Sequence, residues 1–131
     1  MTANVAPVFE LTPQNAGVTI LPADTTVAKT IFTAGAEGSR IDSILVSSTD
    51  SAAMNLAFYI DDGVTSYYIG NVSVPIGSGY TTVARVDAMQ TLKPAFQNFI
   101  ALHHGYTLKA NVVVAVTAGR VITIVTLAGD F

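Results

Sequence analysis

Nine short runs rich in valine, isoleucine, threonine, phenylalanine and tyrosine follow one another along the chain, separated by turn chemistry every 8 to 14 residues or so. They are VTILP (18–22), AKTIFTA (28–34), RIDSILVSS (40–48), MNLAFYI (54–60), TSYYIGNVSVP (65–75), TTVARVDA (81–88), NFIALH (98–103), TLKANVVVAVT (107–117) and RVITIVTLA (120–128). Strands at this spacing are the pattern of an all-β sandwich or barrel, and eight or nine of them suit two packed antiparallel sheets. Leu56, Phe58 and Ile60 alternate with Ala57 and Tyr59, which places three large side chains on one face. In the last run both sets of alternating residues are apolar or threonine, so cover is expected on both faces. Asp62-Gly63 and Ala118-Gly119 each read as a hairpin turn between β-branched runs, since glycine tolerates positive φ there. Only DAMQTLKPAFQ offers a helical turn, ending before Pro94.

Residues 1–15 carry Pro7 and Pro13 without a sustained period and are expected to form an extended N-terminal arm, with a single β-sandwich domain over 16–131. A chain of 131 residues suffices for one core without a disulfide or metal staple, and it has no cysteine to make one. Charged residues are 11% of the chain, against roughly 25% in an average soluble domain. Charge is what keeps domains apart in solution, so part of this surface is expected to be covered by other subunits. Six basic residues against nine acidic ones give a net charge of -3, with no footprint for direct nucleic-acid binding or for a membrane surface. The N-terminus shows no secretory signal pattern, and Arg120 in the middle of the most apolar stretch argues against a transmembrane span.

The stretch FTAGAEGSR poses a chemical question, because a glycine-bearing loop after a strand is how phosphate cradles begin. A P-loop needs a lysine and a following helix, and here Glu37 sits where it would repel phosphate while a strand follows. The loop is therefore read as a β-turn. His103 and His104, as adjacent residues on a strand, would point to opposite faces and could not chelate one metal without a bulge; with Gly105 next, they read as a strand end meeting a turn. Asp61 and Asp62 fall in a hairpin, where they serve turn geometry, with a calcium site as the competing reading. No nucleophile motif or second carboxylate cluster is present, so no catalytic residue, cofactor or metal ligand is assigned and an enzyme is not expected. The five tyrosines, 59, 67, 68, 80 and 106, are open to three readings: sheet packing, a protein interface or a sugar platform.

The opening MTANVAPVF, the block TIFTAGAEGSRIDSILVSSTDSAAMNLAFYIDDG and the closing LHHGYTLKANVVVAVTAGRVITIVTLAGDF resemble small structural proteins of tailed bacteriophages, specifically capsid decoration or cement proteins. That resemblance implies a β-sandwich or jelly-roll domain that forms homo-oligomers, dimers or trimers, on the outer surface of the virion and bridges neighbouring major capsid proteins. The arm would latch onto an adjacent subunit by adding an extended segment to a sheet edge. The contact residues expected on that basis are Val5, Pro7, Val8 and Phe9 in the arm, Tyr67 and Tyr68 on the middle strand, and Phe131 at the end. The alternatives are a tail, neck or baseplate β-module and a carbohydrate-binding module.

Overall fold

Period-2 alternation of branched and polar side chains is realised as strand throughout the computed structural model, which describes residues 12–95 and 97–131. Among the described residues there are nine strands: β1 (Thr12–Ile20), β2 (Lys29–Thr33), β3 (Ser39–Ser48), β4 (Met54–Asp61), β5 (Ser66–Val74), β6 (Val86–Asp87), β7 (Ile100–Leu102), β8 (Thr107–Val112) and β9 (Ile122–Asp130). One four-residue helix, α1 (Met89–Leu92), precedes Pro94 as expected.

All pairings are antiparallel, and they build two sheets. One runs β1-β9-β3-β6, with β7 sharing the outer edge of β3; the other runs β2-β8-β4-β5. Four of the pairs are nested, β4 with β5, β3 with β6, β2 with β8 and β1 with β9, as if one long hairpin had its tip at residues 62–65. Rolling that hairpin adds the contacts of β3 with β9 and β4 with β8. This is a jelly roll, with β7 inserted between the sixth and eighth strands. The antiparallel sandwich expected from strand spacing is the observed fold.

The inner faces of the two sheets share one core. Ile41, Ile44, Val46, Ile122 and Ile124 from the first sheet meet Leu56, Phe58, Val72, Leu108 and Val112 from the second, all buried. In β3 a bulge between Ile41 and Ser43 lets Asp42 and Ser43 both stay outside while Ile44 returns to the core. Leu56 and Phe58 do share the inner face, and Ile60 packs half-buried against the same core. Helix α1 bridges β3 and β5 at the open side of the sandwich, where Leu92 sits so close over Gly70 that a Cβ there would come within 2.7 Å of Leu92 Cδ2.

Several boundaries differ from the expectations. Residues 12–15, assigned to the arm, begin β1 and pair with Leu127–Asp130 of β9; residues 1–11 lie outside the described residues. Pro13 is compatible with this because β1 is an edge strand. The run 81–88 contributes only Val86 and Asp87, since Gly77 and Gly79 at positive φ fold residues 75–85 back on themselves, with Gly79 N–H donating to Val83 O at 2.8 Å. Ala118-Gly119 is a turn, with Arg120 N–H donating to Thr117 O at 3.0 Å, but not a hairpin. The strands on either side of it, β8 and β9, belong to different sheets, so the segment 113–121 crosses the sandwich. The loops 21–28, 49–53, 75–85 and 113–121 all cross at the same end, hereafter the loop end. The opposite end carries 34–38, the β4–β5 hairpin tip, 103–106 and Phe131.

The loop end is closed by a buried carboxylate. Asp50, 1% exposed, accepts hydrogen bonds from Ala52 N–H (2.9 Å), Thr117 N–H (2.9 Å) and Thr117 Oγ1 (2.8 Å). Beside it, Thr49 and Val121 exchange bonds through Thr49 N–H to Val121 O and Val121 N–H to Thr49 Oγ1, each 2.9 Å. Burial alone would raise the Asp50 carboxyl, but the donors of Thr117 and Ala52 and the charge of Arg120 outweigh it and hold the group below the usual carboxylate value. Because the folded value is depressed, the stabilisation is complete above the unfolded carboxyl value of about 3.9 and is lost as pH falls through the lower folded value. Asp50→Asn, which replaces one carboxylate oxygen by an NH₂ and so sets a donor against the Thr117 amide or against the Ala52 amide and Thr117 hydroxyl, is expected to cost about 2–3 kcal/mol in urea unfolding at pH 7. It should also flatten the loss of stability below about pH 4; an acid slope equal to that of the wild type would show that this carboxylate is not the group being titrated.

Candidate interaction surfaces

The hairpin tip is organised by its two aspartates. Asp61 Oδ1 accepts Gly63 N–H at 2.7 Å, and its other oxygen takes the Ser66 hydroxyl and faces Lys109 Nζ at 3.6 Å. Asp62 Oδ1 accepts Val64 N–H (2.9 Å) and Thr65 N–H (2.8 Å), and Oδ2 accepts the Tyr67 hydroxyl at 3.3 Å. The Ser66 hydroxyl and Gly63 amide for Asp61, and the Thr65 and Val64 amides for Asp62, hold both carboxyls below their ordinary value. Gly63, at φ 97°, supplies the conformation the turn needs. All four carboxylate oxygens already have donors, and this favours the turn reading over calcium. The tip leaves Val64 93% exposed, Tyr68 59% and Tyr67 54%. Tyr68 meets Tyr59 edge-on, with ring centroids 5.8 Å apart, on the outer face of the β4–β5 pair.

At the same end, the loop that resembled a phosphate cradle holds the end of the chain. Gly38 N–H donates to Gly35 O at 3.0 Å, closing the turn, and Phe131 N–H donates to Gly38 O at 3.2 Å. The buried Ser39 hydroxyl accepts Gly35 N–H at 2.8 Å and donates to the Asp130 carboxylate. A Cβ at Gly35 would stand 2.6 Å from Asp130 Oδ2, so a side chain there would have to displace that carboxylate from its bond with Ser39. The Gly35 and Gly38 amides and the Ser39 hydroxyl are thus directed to the protein's own residues.

Phe131, half-buried, lines a shallow cleft of about 360 Å³ together with Glu37, Gly38, Leu102 and the two histidines. The strand end meeting a turn expected at the histidines is observed, so the opposite-face geometry of two adjacent strand residues does not apply to them. Strand β7 ends at Leu102, both residues lie in the following turn, and their rings sit 4.4 Å apart, with Tyr106 5.1 Å from His103. Among the described residues, no group of three or more His, Asp or Glu side chains gathers in a metal-binding arrangement. No helix among them is long and apolar enough to cross a membrane.

Of the expected contact residues, Tyr67 and Tyr68 rise from an edge strand of one sheet, and Phe131 follows a central strand of the other. The cleft at Phe131 includes neither tyrosine. Val5, Pro7, Val8 and Phe9 lie outside the described residues.

The loop end was not singled out from the sequence, yet among the described residues it holds most of the exposed large apolar side chains. Leu21 and Val27 lie in its first loop, Ile76, Tyr80 and Val83 in the third, and Val113 and Val114 in the fourth. Val114 is 69% and Val27 65% exposed. These loops are pinned as well as apolar: Ser48 N–H donates to Ser78 O at 2.9 Å, the Ser78 hydroxyl donates to Pro75 O at 2.6 Å, and Asn111 Nδ2 donates to Thr26 O at 3.0 Å. The signal was present in PIGSGY, where an isoleucine between Pro75 and Gly77 has no strand to belong to. Val113 and Val114 were disguised as a continuation of β8.

Comparison with known proteins adds no relative: no protein-family model and no curated protein matches the chain.

The saturated carboxylates at the hairpin tip lead to a direct expectation. The melting temperature in millimolar calcium should equal that in chelator, whereas a rise with calcium would reassign Asp61 and Asp62 as cation ligands.

Proposed function

We propose that the chain is a non-catalytic structural module that works by binding protein surfaces through the ends of a rigid jelly roll. The observation that carries this reading is the apolar, hydrogen-bonded loop end on a domain with few charges. Exposed apolar clusters of this kind mark interaction sites, and loops already fixed in place lose little entropy on binding.

The finer reading is a virion protein on the outer surface of a tailed-phage head, bridging neighbouring major capsid proteins as a homo-oligomer. It is supported by the resemblance of the N-terminal, middle and C-terminal blocks to cement proteins. Multivalent clamping would then stabilise the shell, with each contact modest and the linked set strong. Quantitative mass spectrometry of purified particles tests it: a copy number near that of the major capsid protein is expected, and a few or a few dozen copies would instead place the module in the tail, neck or baseplate.

A second reading, carbohydrate binding, is favoured by one observation. Tyr59 and Tyr68 form an aromatic pair on a sheet face that also carries Lys109, Asn71 and Asn111. Aromatic faces beside amide groups are how sugars are held. On the protein-binding reading a glycan array stays blank; a defined glycan bound by the wild type and lost in Tyr68→Ala would favour the second.

A further inference from the structure

Each sheet ends in edge strands, and most of these edges are guarded against pairing with another chain. Strand β1 carries Pro13, which has no N–H to offer, and its Thr19 carbonyl is taken by the Lys29 ammonium at 2.7 Å. Strand β2 is five residues long, begins at Lys29 and is bulged between Thr30 and Phe32. Strands β6 and β7 have two and three residues. Proline, lysine, bulges and brevity are all devices that blunt an edge. Strand β5 differs: its nine residues, Ser66–Val74, include no charge and no proline, and its guard is one bulge at Ile69. It lies in the longest charge-free run of the chain, residues 63–84. Among the described residues, no backbone hydrogen bond from beyond β4 reaches it. The free groups can be assigned. Val113 N–H donates to Asn55 O at 3.1 Å, so Asn55 turns its backbone toward β8. Met54 and Leu56 then turn theirs toward Val74 and Val72 of β5, which leaves the backbone groups of Asn71 and Ser73 directed away from β4. Helix α1 leaves them open, since Leu92 meets β5 at Gly70 on the inner side that Gly70 shares with Phe58. The same edge carries Val64, Tyr67, Tyr68, Ile76, Tyr80 and Val83, more than half of the exposed large hydrophobics among the described residues.

We infer that β5 pairs antiparallel with β5 of a second copy, joining their β2-β8-β4-β5 sheets into one continuous sheet across a two-fold axis. The occupant is a second copy because this edge is complementary to itself. When a strand meets its own copy antiparallel, the start of one lies beside the end of the other, so Val64 to Tyr68 of one copy come beside Ile76 of its partner, and the two-fold makes that contact twice. No like charges stand opposite each other, because the run holds none. The bordering charges are already occupied or balanced: Asp62 takes the Val64 and Thr65 amides and the Tyr67 hydroxyl, and Arg85 is followed by Asp87. Hydrogen bonds at Asn71 and Ser73 and burial of the flanking apolar groups therefore set the contact. The size is sufficient as well. Nine residues of strand are about 30 Å long, and two packed sheets with their side chains present an edge about 20 Å wide. Such a strip, roughly 600 Å² on each copy, reaches the ~1,200 Å² total at which stable interfaces begin. An isologous contact uses up the edge in both partners, so the assembly closes at a dimer. It concerns copies of the chain alone and stands whether or not the particle is a phage head.

Sedimentation velocity on the purified full chain tests the inference with two variants at exposed positions. Ser73→Pro removes an N–H from the free edge and none from the ladder with β4. Ile76→Lys sets an ammonium into the apolar contact and lies outside the strand, so it keeps the test open if proline disturbs β5. Unchanged circular dichroism and melting establish that a variant folds. The wild type should form a dimer with rising concentration and keep it at high salt, since no ion pair holds it. Each folded variant should need at least ~10-fold more protein to dimerise. Phe9→Lys, in the segment outside the described residues, should dimerise as the wild type does. A wild type that stays monomeric to ~1 mM would overturn the inference. So would a dimer as tight in either folded edge variant as in the wild type, or one loosened by Phe9→Lys, which would give the edge to the N-terminal segment instead.

Discussion

The buried carboxylate of Asp50 is the interaction on which the closure of this sandwich depends. Two sheets packed face to face are stable only if the segments crossing between them seal the core from water. At the loop end, the crossing segments contain short polar residues that cannot do this by packing alone. Asp50 gathers the amides of Ala52 and Thr117 and the Thr117 hydroxyl onto one side chain, tying the β3–β4 crossing to the β8–β9 crossing. A carboxylate with three donors can remain ionised inside the protein, and the same donors would be left unpaired without it. Ile122 and Met54 can therefore be buried next to a chain end-cap made of hydroxyls and amides.

At the opposite end the closure is made by the end of the chain itself. Asp130 is received by Gly35 and Ser39, and the Phe131 amide by Gly38, so the outermost nested pair, β1 with β9, is fixed against the start of β3. With both ends closed internally, the scarcity of charge becomes a statement about surface. Neither polar satisfaction nor core packing requires Val27, Ile76, Val64 or Val114 to stand in solvent, and all four do. Apolar groups displayed on rigid ends give the domain binding features that its broad sheet faces lack.

Strand positions were legible because alternation is local: Leu56 and Phe58 face the core for reasons contained within five residues. Segments that depend on distant partners were read less well. Val113 and Val114 continue the β-branched run of β8, and only the topology shows that the chain must leave its sheet there to cross to β9. Nothing near Asp50 in the sequence announces Thr117 as its partner, sixty-seven residues away. The glycines of AGAEGS read as turn positions, but the close approach of Asp130 to Gly35 comes from the far end of the chain. The strand end at the histidine pair was legible because Gly105 marks the turn, but the 4.4 Å approach of the two rings was not. Among the expected contact residues, Tyr67 and Tyr68 are exposed where an interface could use them, while Phe131 is tucked into a cleft.

The central claim is that this domain acts through its two ends and that its sheet faces are bystanders. Hydrogen exchange read by mass spectrometry, comparing dilute with concentrated protein, addresses that claim most directly. The account predicts slower exchange on concentration in residues 75–85 and 113–121 and at the hairpin tip around Val64, with the outer-face residues of β3 and β9 unchanged. Protection confined to the sheet faces, with both ends exchanging as freely as in dilute solution, would contradict it.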